Sequence, residues 1–317
     1  GDHRETAFAV ARRLGIADSA AQVVTGEQLE RMSGAELRKT VERCRVYARV
    51  SPKHKSMIVE ALQSKGNVVA MTGDGINDAP SIKKADIGIA MGVSGTDVTK
   101  NASDMIISDD NFATIVLAVG EGRRIFSNIK KTIAFFLATN LAEVLSIFIV
   151  SVLFCRFDFL LSAQLLWLNL VTDSFPVLAL GMERAEPDIM ERKPKRAEKA
   201  VFSKESVLSM CFFGGAITVI TLAVFFVSLA LFGNATATTM TFFTLSFAEL
   251  FHAFNIRSDR QSVFRTGIFS NKALLLTVIG GIAVNIAVYA AAPLKAALGI
   301  SALTVWQWVA VFLSARA

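Results

Sequence analysis

Six stretches of this chain are long and apolar: 133–155, 159–182, 207–232, 237–256, 273–292 and 297–315. A run of about 18 such residues is the length that crosses the hydrocarbon core of a bilayer. In lipid the backbone must satisfy its own hydrogen bonds, and helices do so within one segment. Six helices of this kind do not fit one soluble core in a chain of 317 residues. The expectation is an all-α bundle of six transmembrane helices over residues 123–317, with the lipid bilayer as its surroundings. Charged residues are only 19% of the chain, below the usual share of about 25%. Cys44, Cys155 and Cys211 are dispersed and odd in number, which points to neither a disulfide framework nor a zinc site.

Lysine and arginine set the expected orientation. The stretch Arg123–Lys131 and the connections Glu183–Ser206 and Arg257–Lys272 are basic, while the alternate connections are nearly free of such residues. Basic connections stay on the cytoplasmic side. The net charge of +6 is therefore read as a topology signal and not as a nucleic-acid footprint.

Residues 1–122 have the composition of a soluble α/β domain. The segment Glu5–Leu14 has helical spacing and ends at Gly15. Ser51–Gln63 reads as a helix, with Ser51 as N-cap and Pro52 in the first turn. Asn67–Met71 reads as a buried parallel strand running into a glycine-rich turn, and Asp86–Met91 repeats the pattern. Alternating helix, strand and loop predicts a doubly wound layer structure.

Within the apolar segments lie three carboxylates, Glu143, Asp173 and Glu249. An acid at the centre of a membrane helix costs roughly 2.5 kcal/mol or more, so it usually serves a purpose. Asn140 lies three residues before Glu143, and Asn169, Thr172 and Asp173 share one helical face. Pro176 has no N–H, so it predicts a free carbonyl at Thr172. Mixed carboxylate, amide and carbonyl oxygens suit a hard cation such as calcium. The alternative is three polar residues packed against other helices or protonated.

A second cluster follows the first strand. In Thr72-Gly-Asp-Gly-Ile-Asn-Asp78 the glycines permit a sharp turn, so that Asp74, Asn77 and Asp78 converge at the carboxyl end of a parallel sheet. Two carboxylates there suit Mg²⁺. Lys55, on the preceding helix, is placed to meet a phosphoryl oxygen as a point charge. The alternative is a plain acidic turn.

The run Ala48-Arg-Val-Ser-Pro-Lys-His-Lys-Ser56, followed by Met71-Thr-Gly-Asp-Gly-Ile-Asn-Asp-Ala-Pro80, resembles the hinge and magnesium region of P-type ATPases. Leu170-Val-Thr-Asp173 and Asn140-Leu-Ala-Glu143 are similar to the ion-binding spans of calcium pumps of the sarcoplasmic-reticulum type. The resemblance covers nearly the whole chain. It implies a haloacid-dehalogenase-like (Rossmann-like) α/β phosphorylation-domain portion at 1–122, followed by the six-helix bundle.

It further implies roles for single residues. Asp74 and Asp78 would hold Mg²⁺, Asn77 would complete the phosphate pocket and Lys55 would neutralise the phosphoryl group. Asp2, Thr72 and Gly73 would lie near ATP and phosphate. Asn140, Glu143, Asn169, Thr172, Asp173 and Glu249 would bind the transported Ca²⁺. The expected activity is ATP-driven calcium export in a bacterial plasma membrane, with sodium or manganese as the alternative cargo. The Asp-Lys-Thr-Gly-Thr motif, whose Asp would be phosphorylated, does not occur, and neither does the family's Pro-Glu-Gly-Leu motif. The resemblance therefore implies an N-terminal part of the same protein, without which the chain is an inactive, non-catalytic fragment.

Overall fold

The computed structural model describes residues 2–154, 157–192, 202–258 and 267–316. Cys155, Arg156 and much of the two basic connections lie outside the described residues. The chain divides into two compact units, Gly1–Ala118 and Val119–Ala317, four residues short of the expected boundary.

The first unit is built of short parallel strands and helices. Helix α1 (Arg4–Arg13) is followed by β1 (Val23–Thr25), α2 (Gly26–Arg31), α3 (Gly34–Arg43) and β2 (Val46–Ala48). Then come α4 (Pro52–Ser64), β3 (Ala70–Gly73), α5 (Ala79–Lys84), β4 (Ile87–Met91), α6 (Asp97–Ala102) and β5 (Met105–Ile107). Strands β1 and β2 pair in parallel, and β3, β4 and β5 form a separate parallel sheet with β4 at its centre. Helix α4 starts as expected: Ser51 accepts from the His54 N–H, His54 returns a bond to the Ser51 N–H, and Pro52 needs no partner in the first turn.

The strand expected at Asn67–Met71, β3, differs from its expected form. It begins at Ala70, three residues late, and Val68 is 74% exposed. Strand β3 lies at the edge of its sheet, so its apolar run is only half covered, whereas Ile89, Ala90 and Met91 of the central strand are buried.

Helix α7 (Phe112–Leu153) has residues in both units. In the second unit it is followed by α8 (Ser162–Trp167), a π-helical turn (Leu168–Thr172) and α9 (Ser174–Gly181). Helices α10 (Lys204–Phe232), α11 (Asn234–Asn255), α12 (Lys272–Ala290), α13 (Ala292–Ala297) and α14 (Val305–Arg316) complete it.

Four helical stretches are long and apolar enough to cross a membrane: Phe112–Leu153, Ser162–Gly181, Lys204–Phe232 and Lys272–Ala290. The other two expected spans fall short for different reasons. Helix α11 carries Thr236, Thr238, Thr239, Thr241, Thr244, Ser246, Glu249 and His252, which make it too polar for lipid. It does not face lipid: every residue from Ala237 to Leu250 is buried, against α10, α12 and α14. The last expected span, 297–315, is broken at Gly299 (φ +60°) and is helical only from Val305.

Candidate functional site

In the first unit the turn after β3 brings a lysine and a carboxylate together. Asp78 ends a 3₁₀ turn (Ile76–Asp78) that leads into α5, with Pro80 in that helix's first turn. Lys55, in the first turn of α4, pairs through Nζ with Asp78 Oδ1. The two helices are tied by the Ser56 and Ser81 hydroxyls, 3.0 Å apart. Asp78 is buried while Asp74 and Asn77 are exposed.

Gly73 makes this approach possible. A Cβ there would sit 2.4 Å from Asp78 Cβ and 2.8 Å from its Cγ, so no other residue fits without moving Asp78. The Asp74 carbonyl accepts from the Thr96 N–H at 3.0 Å and the Thr99 hydroxyl at 3.4 Å. These bonds pin the backbone, while the exposed Asp74 carboxylate makes no hydrogen bond among the described residues. A free carboxylate at the carboxyl end of a parallel strand, beside a lysine-paired one, offers hard oxygens that fit Mg²⁺. Thr72 and Gly73 line the end of β3. Asp2 is exposed and makes no hydrogen bond or ion pair with this turn.

The second unit gathers the acids. Asn169 donates to Glu143 Oε2 at 2.9 Å, and Thr139 donates to Asp173 Oδ2 at 3.1 Å. The Thr172 and Ser246 hydroxyls lie 3.2 Å apart. These contacts join α7, the π-helical turn and α11. Asp173 and Glu249 are fully buried and Glu143 nearly so.

Among the described residues, four of their oxygens have no hydrogen-bond partner: Glu143 Oε1, Asp173 Oδ1 and both of Glu249. Buried polar atoms are nearly always paired, so four orphans on three acids call for a ligand. Among the described residues no three His, Cys, Asp or Glu side chains converge as a ready metal cage, so a bound cation would need the amides and hydroxyls as well.

One expected ligand stands apart from the rest: the Asn140 amide donates to the Phe136 carbonyl of its own helix at 2.8 Å, whereas Asn169, though exposed, holds Glu143. The unwinding lies in the π turn from Leu168 to Thr172, where the Asp173 N–H reaches back to the Leu168 carbonyl at 3.0 Å. It is thus upstream of Pro176, and a widened turn of this type is common at functional sites. Thr139 and Ser246 escaped the sequence reading. Ser246 lies one turn before Glu249, and that spacing is the signal that could have found it.

Residues 157–316 match the family model for cation transporting ATPase, C-terminus. The chain belongs to the cation-transporting ATPase family. Residues 1–86 match the haloacid dehalogenase-like hydrolase family, a stretch that holds β1, β2 and β3. It is 42% identical, over 99% of its length, to calcium-transporting ATPase 1 of Bacillus cereus, and 42% identical, over 98%, to the calcium-transporting ATPase of Bacillus subtilis. It is 38% identical, over 96%, to the human calcium-transporting ATPase type 2C member 1. The chain spans 37%, 35% and 33% of these three relatives. With its four apolar helices, this ATPase chain is a membrane protein.

Proposed function

We propose that the chain is the C-terminal part of an ATP-driven calcium pump of the P type, with the first unit on the cytoplasmic side of a bacterial plasma membrane. One observation carries this reading: the four unpaired oxygens on the buried acids Glu143, Asp173 and Glu249. Hard oxygen donors from three helices, joined by Asn169, Thr172, Thr139 and Ser246, suit calcium as cargo. The names of the similar proteins favour the same cargo. Six spans are proposed, with α11 crossing inside the bundle instead of facing lipid and with residues 297–315 forming the last.

In the first unit Asp74 and Asp78 would hold Mg²⁺, whose charge offsets that of a phosphoryl group during transfer. Lys55 presents its ammonium to the same group, and Asp78 holds that ammonium in place. Asn77, Thr72 and Gly73 would border the phosphate pocket, with Asp2 near ATP and phosphate. The phosphorylated aspartate, ATP site and remaining spans belong to the longer protein. Helix α7 links phosphoryl transfer to ion release, because it carries both a basic stretch and the ligands Thr139 and Glu143.

The test is calcium-stimulated ATP hydrolysis by the complete polypeptide. Glu143→Ala and Asp173→Ala should each abolish the calcium dependence, with sodium and manganese titrated in parallel. Unaltered calcium activation in both variants would refute the site.

A further inference from the structure

Ten residues beyond Asp173 the chain forms a second buried polar cluster, centred on an arginine–carboxylate pair. Arg257 Nε and Nη2 donate to Glu183 Oε2 and Oε1, each at 2.9 Å. The Arg257 side chain is 1% exposed and that of Glu183 7%. Asn271 Nδ2 donates to Glu183 Oε2 at 2.8 Å and to the Ala179 carbonyl at 3.1 Å, while its Oδ1 caps α12 through the Leu274 N–H at 2.9 Å. Arg257 also donates to the Gly267 carbonyl at 2.9 Å and the Ser270 hydroxyl at 2.5 Å. Asn128 of α7 donates to the Glu183 carbonyl at 2.8 Å.

Glu183 and Arg257 follow the ends of elements that bear on the cation site, and Asn128 ties in a third. Glu183 follows α9, which begins next to Asp173. Arg257 lies two residues past α11, which carries Ser246 and Glu249. Asn128 lies on α7, which carries Thr139 and Glu143. A bidentate arginine–carboxylate pair has one preferred geometry, so it fixes the ends it joins in register as well as in distance. A buried pair of this kind is weak evidence for stability as such, since an apolar pair of the same volume often does as well. Its directional bonds to three elements fit a role in placement better.

We propose that Glu183, Arg257 and Asn271 form a clasp of positioning residues that sets the affinity of the membrane cation site by holding the ends of α9 and α11 in fixed register. The proposal rests on the calcium reading given above. None of the three touches the cation; they act through Thr172, Asp173, Ser246 and Glu249. A loosened clasp lets the ligand-bearing helices shift, which weakens binding but leaves the first unit's chemistry intact.

The test uses the complete polypeptide reconstituted in lipid vesicles, with equilibrium binding of radioactive calcium and ATP hydrolysis measured side by side. Arg257→Lys keeps the charge and loses the fork, and should raise half-saturating calcium about 3-fold or more. Glu183→Gln leaves a buried guanidinium unpaired and should raise it about 10-fold or more, with hydrolysis at saturating calcium within about 2-fold of the unsubstituted protein. The double variant Glu183→Gln/Arg257→Met strands no charge but also lacks the bidentate bonds, so half-saturating calcium should stay raised about 3-fold or more, and its return to the unsubstituted value overturns the clasp. If Glu183→Gln does not accumulate folded, Arg257→Lys decides alone. Saturable calcium binding that neither single variant moves, or a fall in maximal rate with half-saturation unchanged, overturns the clasp. An unsubstituted protein without saturable calcium binding overturns instead the calcium reading on which it rests.

Discussion

Gly73 shows how one missing side chain shapes the phosphoryl pocket. Its hydrogen leaves the space that Asp78 fills to reach Lys55. Gly73→Ala would drive Asp78 off that partner, and misplacement by about 1 Å at a reacting centre costs on the order of 100-fold in rate. The complete protein carrying Gly73→Ala should therefore lose ATP hydrolysis by about that factor, while calcium binding in the membrane unit stays unchanged. Loss of both together would show the substitution to be a folding defect. Asp110 supports a neighbouring loop. Its backbone is left-handed (φ 49°), and its carboxylate accepts from the Val93 N–H at 3.0 Å and the Ser94 N–H at 2.7 Å. The Val93 bond first, then the Ser94 bond, holds this carboxyl at about 2, below the ordinary 3.8. A lowered value means the carboxylate favours the folded loop above pH 3.8, and that this support fades as pH falls toward 2. The protection of the Val93 and Ser94 amides, taken against the intrinsic exchange rate at each pH, should fall across that window, and Asp110→Asn should remove the pH dependence of that protection.

At the scale of elements, legibility followed how local the cause was. The start of α4 was readable because its determinants, Ser51, Pro52 and His54, are adjacent in sequence. The acids Glu143, Asp173 and Glu249 stood out because a charge in an apolar run is conspicuous whatever it packs against. Strand β3 was misjudged because Val68 and Val69 look the same in an edge strand as in a central one, and only the neighbours decide. The π turn is one residue wider than a helical turn, which no apolar periodicity in Leu168–Thr172 betrays. Thr139 and Ser246 were overlooked because hydroxyls are ordinary in membrane helices. Helix packing offers a controlled comparison. At Gly214 a Cβ would lie 2.9 Å from the Ala138 carbonyl and 3.0 Å from Leu141, where α10 meets α7. At Gly215, next in sequence, it would meet nothing within 4 Å. Gly214→Ala should destabilise the chain by about 1–3 kcal/mol, as overpacking does. Gly215→Ala should be neutral or stabilising by up to about 1 kcal/mol, from helix propensity alone. Thermal melting in detergent micelles orders the two, and equal effects would count against close α7–α10 packing.

The membrane unit as a whole keeps two kinds of buried polar cluster, and they differ in completeness. Glu183, Arg257 and Asn271 satisfy one another, so that cluster holds without any ligand. Glu143, Asp173 and Glu249 do not, and burying like charges with unpaired oxygens works against the fold. The unit therefore carries a built-in dependence on whatever fills the acid cluster. Filling it with calcium should stabilise the chain by about 2.7 kcal/mol at a free concentration 100 times Kd. For a unit of this size that corresponds to a rise in Tm of roughly 5–10 °C. The paired substitutions Asp173→Asn and Glu249→Gln remove the mutual repulsion, so the cation-free variant should melt above the cation-free parent and show no further rise with calcium. The comparison is a thermal scan of both proteins in calcium chelator and in millimolar calcium. A variant still stabilised by calcium as much as the parent would place the cation somewhere other than the three acids.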